Sequence, residues 1–291
     1  TGGCTRHRKE KPLCGGDRML KIKEYVKVKS LSQAYELNQK KNNKIIGGML
    51  WLKMGNRRIQ TAIDLSELGL DKIEETEQEF VIGSMVTLRE LETHPGFCVY
   101  TKGAARDSVK DIVGVQFRNL ATVGGSLYGR FGFSDVLTFF LALDTQVELY
   151  HAGRVSLEEF SRMPKDRDIL VRVIVKKHSL ACTYLAHRNT RTDFPVLACA
   201  LSVDEREGKI VVGARPSKAV MWKMTSEEAK KLREGKLTDG EKEAMFERVS
   251  GETVLGSNMR ASREYREHLL GVLMERGLDA LNQEAQGGEQ A

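Results

Sequence analysis

The chain has 291 residues with 46 Lys and Arg, 40 Asp and Glu, and a net charge of +6. Hydrophobic residues make up 41% and charged residues 30%, the balance of an ordinary globular protein with about two domains. That excludes a disordered, collagen-like or disulfide-scaffold chain, and no run reaches the ~18 apolar residues of a membrane span. The basic residues are interleaved with acidic ones, which reads as a mixed-charge surface, not a nucleic-acid groove.

The five cysteines form no C-x-x-C pair, and the six histidines show no metal-ligand spacing. No metal is expected on this chain, and the cysteine usage and polar start point to the cytoplasm. Residues 1–18 read as a tag-like or disordered arm, with Met19 as the natural start.

Leu20 to Val28 alternates as a strand, and Ser30-Leu31-Ser32-Gln33 opens a helix to about Lys40. Short strands follow at Lys44–Ile46, Gln60–Leu65 and Glu79–Gly83, and Thr87-Leu88-Arg89-Glu90 is a second capping box. Asp107–Arg118 is predicted as one helix with Val109, Ile112, Val113 and Phe117 on one side. An apolar stretch spans Val136–Leu143. A hairpin turns at Ala152-Gly153, and Ile169–Val175 is a β-branched strand. Strands at Leu180–His187, Val196–Val203 and Lys209–Gly213 then precede helices at Ser226–Arg233, Glu241–Val249 and Ser262–Arg276. Strands followed by helices indicate an α+β second unit. The tail from Asn282 is polar and expected to fray.

G-x-G-x-x-G, Walker A and G-x-S-x-G are all absent. What stands out is a pair of Gly-Gly turns: Ile45-Ile46-Gly47-Gly48 and Thr122-Val123-Gly124-Gly125-Ser126. Consecutive glycines admit positive φ and close approach of a ligand, and successive amides form an anion-binding nest. The two loops would clasp a diphosphate from two sides. The plainer alternative is two tight strand-end turns.

The order and spacing of several segments carry a resemblance. They are Lys44 to Trp51, Ile82 to Leu91, Phe117 to Leu127, Ser134-Asp135 and Leu141-Ala142-Leu143-Asp144. Thr192 to Leu197, Gly213-Ala214-Arg215-Pro216 and Arg260 to Arg266 continue it. Over roughly residues 19–281 the chain resembles the FAD-binding medium subunit of molybdenum hydroxylases of the xanthine dehydrogenase and carbon monoxide dehydrogenase type. The resemblance implies an α+β fold: a two-subdomain FAD-binding domain of the vanillyl-alcohol-oxidase/CO-dehydrogenase flavoprotein type, then an antiparallel sheet with helices. It places the FAD domain at 19–178, with subdomains at about 19–75 and 76–178, and the C-terminal domain at 179–281.

By this resemblance the first diphosphate loop is Ile45, Ile46, Gly47, Gly48, Met49, Leu50 and Trp51. The second uses Thr122, Gly124, Gly125 and Ser126. Ile112 would lie near the flavin or adenine, and Leu170 against the adenine. Asp135, otherwise readable as a helix N-cap, would accept from a cofactor hydroxyl or the adenine. Trp51 and Tyr128 are open to either a core or a cofactor-facing role. Arg260, Tyr265 and Arg266 read as structural or interfacial. The chain departs from the pattern with Met49 for a small polar residue, Ser126 for Asn and Gly132 for Pro. A cofactor-contacting Lys of some relatives falls on Leu185, with His187 and Arg188 nearby.

The implied activity is that of an oxidoreductase electron-transfer subunit with no catalytic acid, base or nucleophile of its own. Electrons would arrive from the clusters of an iron–sulfur subunit, after oxidation of substrate on a molybdopterin subunit, and leave to NAD or another acceptor. A stand-alone FAD-dependent oxidase or reductase, or a flavin-free assembly scaffold, are the alternatives. Neither nucleic acid nor membrane is expected as a partner.

Overall fold

The computed structural model describes residues 19–288; the expectation for residues 1–18 and the last three residues of the tail lie outside them. Strand β1 (Lys21–Lys27) leads through helix α1 (Leu31–Gln39) to β2 (Lys44–Ile46) and β3 (Arg58–Asp64). These strands form a parallel sheet in the order β1-β3-β2. Ser30 caps α1 by accepting from the Gln33 amide, the role its sequence predicts.

β4 (Ile73–Glu75) and β5 (Glu79–Gly83) begin a second sheet. Six short helices follow: α2 (Leu88–Thr93), α3 (Pro95–Tyr100), α4 (Ala104–Val109), α5 (Val115–Arg118), α6 (Val123–Tyr128) and α7 (Asp135–Ala142). β6 (Thr145–Leu149), β7 (Gly153–Ser156), α8 (Leu157–Arg162) and β8 (Leu170–Lys176) complete this part. The antiparallel sheet runs β4-β5-β8-β6-β7, so β8 lies between β5 and β6. Ile169 and Val171 pack with Val28, Ala34, Ile63 and Leu65, joining the first sheet to the second.

β9 (Ala181–His187), β10 (Leu197–Val203), β11 (Gly208–Gly213) and β12 (Val220–Lys223) form an antiparallel sheet followed by α9 (Ser226–Arg233), α10 (Asp239–Glu252) and α11 (Arg263–Gly288). Every residue of β10 and β11 is buried. Ala198, Ala200 and Val211 face a core shared with α7, while Leu197, Cys199, Leu201 and Ile210 face the helices. The period of two thus serves two layers at once. α7 is buried along its whole length, and its close approach to the sheet requires Gly213, where a Cβ would lie 1.9 Å from Thr138 Oγ1. Helix α7 therefore fixes Asp135, its first residue, against the C-terminal sheet.

Three expectations are corrected. The helix predicted over Asp107–Arg118 is two helices, α4 and α5, broken at Lys110–Gly114. Val113 takes φ 51° there and is exposed, so the run Val109, Ile112, Val113 and Phe117 is not one helical face. Gly114 starts α5 with an extended backbone. The C-terminal helix does not fray at Asn282: it continues, and the Asn282 side chain accepts from the Leu237 amide and donates to the Leu237 carbonyl. β4 and β12, too short to show a periodicity, were not expected.

Candidate cofactor site

A cleft of about 950 Å³ runs between the first sheet, the second sheet and the loop before β10, at the upper end of the ~300–1,000 Å³ usual for small-molecule sites. All the residues singled out in the sequence line it: Ile45 to Trp51, Ile112, Thr122, Gly124, Gly125, Ser126, Asp135 and Leu170. They come from five separate segments of the chain.

The first glycine pair leaves β2 and enters the cleft. Its glycines do not supply the positive φ that the sequence suggests; Met49 does, at 58°. The glycines are required for close approach instead. A Cβ on Gly48 would lie 1.9 Å from the Leu120 carbonyl oxygen, and one on Gly47 2.9 Å from Thr122 Oγ1. Among the described residues, the amides of Gly48, Met49 and Leu50 meet no acceptor. Unpaired amides at a cleft wall need an outside acceptor.

The second pair differs from expectation. Thr122 is the N-cap of α6, so Gly124 and Gly125 are the first turn of a helix and not an open loop. The amides are already used: Val123 to the Val86 carbonyl at 2.8 Å, Gly124 to Ser84 at 2.9 Å, Gly125 to Thr122 Oγ1 at 3.1 Å and Ser126 to the Thr122 carbonyl at 3.0 Å. Gly124 allows the helix to press on Ser84, whose Cβ and carbonyl oxygen would stand 2.6 Å from an added Cβ. Ser84 also lines the cleft, and its buried hydroxyl has no partner.

Lys44, Arg57 and Arg167 line the cleft close to one another, and Lys165 lies over the Phe131 ring. Burial and the positive charges of Arg167 and Arg57 lower the Lys44 ammonium below its ordinary pKa, the mark of crowded cations. Arg167 itself donates to the Asn38, Lys40 and Lys41 carbonyls, binding the end of α1 to the segment before β8. Tyr128 faces the cleft with its hydroxyl on Asp166.

Elsewhere on the wall, aromatic rings collect around Trp51. Its ring centroid lies 5.4 Å from Phe194, 5.6 Å from Phe133 and 6.0 Å from Phe117. Trp51 is 41% exposed, so it is a cleft-mouth residue and not a core residue. Beside this cluster Asp135 is buried and accepts from Arg188 at 2.6 Å and from the Tyr184 hydroxyl. Burial pushes its carboxyl up to about 6 against the opposing pull of Arg188 and Tyr184. The α7 N-cap is Ser134, so Asp135 is not the cap. Ile112 is held by Arg118, which donates to its carbonyl at 3.2 Å and pairs with Glu92 at 2.8 Å.

Arg188, Phe133 and Phe194 were not singled out as site residues. Arg188 lies close to the displaced family Lys and Phe194 in the Thr192–Leu197 segment; Phe133 gave no signal. Arg260 pairs with Asp193. Arg266 is fully buried, donating to the Val196, Gly256 and Ala261 carbonyls. Its structural reading stands. Among the described residues no group of His, Cys, Asp and Glu is placed to hold a metal ion, and no helix is long and apolar enough to cross a membrane.

A family model described as "FAD binding domain in molybdopterin dehydrogenase" matches residues 19–177. The chain belongs to this family. A second, "CO dehydrogenase flavoprotein C-terminal domain", matches residues 183–281. The family binds FAD, and FAD is the cofactor of this chain. The fold is similar to that of a carbon monoxide dehydrogenase from Hydrogenophaga pseudoflava lacking the Mo-pyranopterin moiety of its cofactor. The two share 20% identity and a TM-score of 0.77 over 89% of this chain and 96% of that one. It is equally similar to quinoline 2-oxidoreductase from Pseudomonas putida 86, at 16% identity and a TM-score of 0.77 over 92% and 99% of the two chains. "Uncharacterized protein YgfM" of Escherichia coli (strain K12) is 24% identical over 262 residues, 87% of this chain and 94% of that protein.

The cleft suits FAD on its own features. It offers unpaired amides and crowded cations for a diphosphate, a buried hydroxyl without a partner, and a group of aromatic rings for a planar system.

Proposed function

We propose that this chain is the FAD-carrying electron-transfer subunit of a molybdenum-hydroxylase assembly, working in the cytoplasm. The observation that carries the reading is the cleft, where both glycine pairs, Asp135 and Leu170 converge on a volume of about 950 Å³. In this reading the amides of Gly48, Met49 and Leu50 receive the diphosphate, with Lys44 and Arg57 as counter-charges. Ile45, Ile46, Gly47 and Trp51 shape the same loop. Thr122, Gly124, Gly125 and Ser126 form the facing wall, Leu170 packs at the adenine, and Asp135 accepts from the cofactor. Residues 19–178 form the FAD-binding unit, its two parts meeting near residue 75, and 179–281 the C-terminal unit.

Bound flavin supplies the chemistry, taking electrons singly and releasing them in pairs; the chain contributes orientation and electrostatics. No side chain in the cleft is assigned as an acid, base or nucleophile. An iron–sulfur subunit would deliver the electrons, a molybdopterin subunit would oxidise the substrate, and NAD is one acceptor to test. Cys182 and Cys199 are buried, and burial pushes their thiols up to about 12.

Two measurements test this. The chain mixed with FAD or FMN and passed through gel filtration should retain FAD at about one per chain; preferential retention of FMN, which lacks the diphosphate, contradicts the site. A tagged chain recovered from its host should bring iron and molybdenum with it. A lone metal-free chain that oxidises a purine or aldehyde contradicts the subunit reading.

A further inference from the structure

We propose that Trp51 is a lid that stacks on the isoalloxazine ring of bound FAD, opening away from Phe194 to admit it. The inference rests on the FAD reading of the cleft and adds to it the direction of the cofactor and a residue that positions its ring. Trp51 sits on the same short loop as the unpaired amides of Gly48, Met49 and Leu50, so an anion bound there brings the next part of the ligand to the indole. Its ring lies nearly parallel to Phe194, at 28° and 5.4 Å between centroids. A planar guest between two rings needs about 7 Å, twice the ~3.5 Å contact distance of carbon atoms. The pair is therefore closed as it stands, and one ring has to move.

The two rings are not equally free. Phe194 is held by Phe133 at 4.3 Å and by the Arg260 guanidinium at 4.9 Å, and Arg260 is itself paired with Asp193. Phe194 also follows Asp193, whose carboxylate accepts from the Phe194 amide at 2.7 Å. Trp51 is 41% exposed and is carried by a loop with few hydrogen bonds of its own. So Trp51 is the ring that moves. An exposed indole on two rotatable bonds gains stacking area by closing over a flat, electron-poor ring. The adenine then lies toward Leu170, at the far side of the diphosphate loop, and the isoalloxazine toward Asp135 and Arg188.

Flavin emission reads the contact directly, because an indole stacked on isoalloxazine quenches it. The full chain loaded with FAD should be dim. Trp51→Leu should hold FAD more weakly, and the FAD it retains should emit severalfold more strongly; Trp51→Tyr, which restores an electron-rich ring, should be dim again. A dim Trp51→Leu variant that retains FAD overturns the lid, leaving the FAD site in place. A bright Trp51→Tyr variant overturns stacking as the cause. A wild-type chain that retains no FAD overturns both the lid and the site.

Discussion

The two glycine pairs crowd the same atom. A Cβ on Gly47 would stand 2.9 Å from Thr122 Oγ1 and one on Gly125 3.0 Å from it. Yet the amides of Gly48, Met49 and Leu50 meet no acceptor among the described residues, while those around Gly125 are consumed by the Thr122 cap and by Ser84 and Val86. The first loop is built to receive an acceptor. The second is built to be rigid and to bring a helix against the strand exit after β5. The same dipeptide therefore does two jobs, and its neighbours decide which: a short strand end before Gly47, a capping threonine before Gly124.

The largest expected effect separates them. Gly48→Val drives a side chain into the Leu120 carbonyl, 1.9 Å from the added Cβ, and a carbonyl cannot swing aside. The cost lies at the upper end of ~1–3 kcal/mol for overpacking; the loop relieves it by shifting its amides off the diphosphate, which lowers FAD affinity by up to about a hundredfold. Titration with FAD checks this, with circular dichroism confirming the fold. Unchanged affinity would break the distinction between the loops. Gly124→Ala should act on the fold instead, losing about 2 kcal/mol by overpacking against Ser84. Urea unfolding should show the loss, while the folded variant binds FAD nearly as well as the parent.

Thr122→Val tests the shared atom. It removes the cap of α6 at about 1 kcal/mol, read in the same unfolding experiment, with a smaller loss in FAD affinity than Gly48→Val. A further effect concerns Asp135, which belongs to neither loop. Its carboxyl titrates near 6 in the fold because of burial, above the ordinary 3.8. An acid raised in this way stabilises the fold most below its unfolded pKa, and that contribution is lost as pH rises through the folded value. Asp64, Asp144 and Asp204 are lowered and give the opposite slope, but only below about pH 4, so they do not offset the Asp135 loss between about pH 4 and 6. An NMR titration of the free chain should place Asp135 near 6; a midpoint at or below 3.8 contradicts its environment.

Much of this was legible in the sequence where the signal is local. Thr87 and Glu90 form the capping box their spacing predicts, and the β-branched run of β8 is a central strand. The cleft residues came from motif order. The Lys110–Gly114 break was misread because its apolar residues mimic helical spacing, while Gly114 and the left-handed Val113 end the helix. The aromatic group was illegible for another reason. Trp51, Phe117, Phe133 and Phe194 meet only through tertiary packing, and no local pattern encodes a contact between residues that far apart. The Arg188–Asp135 pair is hidden in the same way.

The position of β8 has a consequence for synthesis. β5 pairs with β4 on one edge, but the partner of its other edge begins at Leu170, so the growing chain must hold that edge unpaired while the helices between them emerge. Such distant pairing is slow to form and exposes apolar edges meanwhile. Leu170 also walls the cleft, and Arg188 and Phe194 follow later still. The cleft is thus complete only once Phe194 has emerged, and a chain stopped before β8 presents its glycine loops without the far wall.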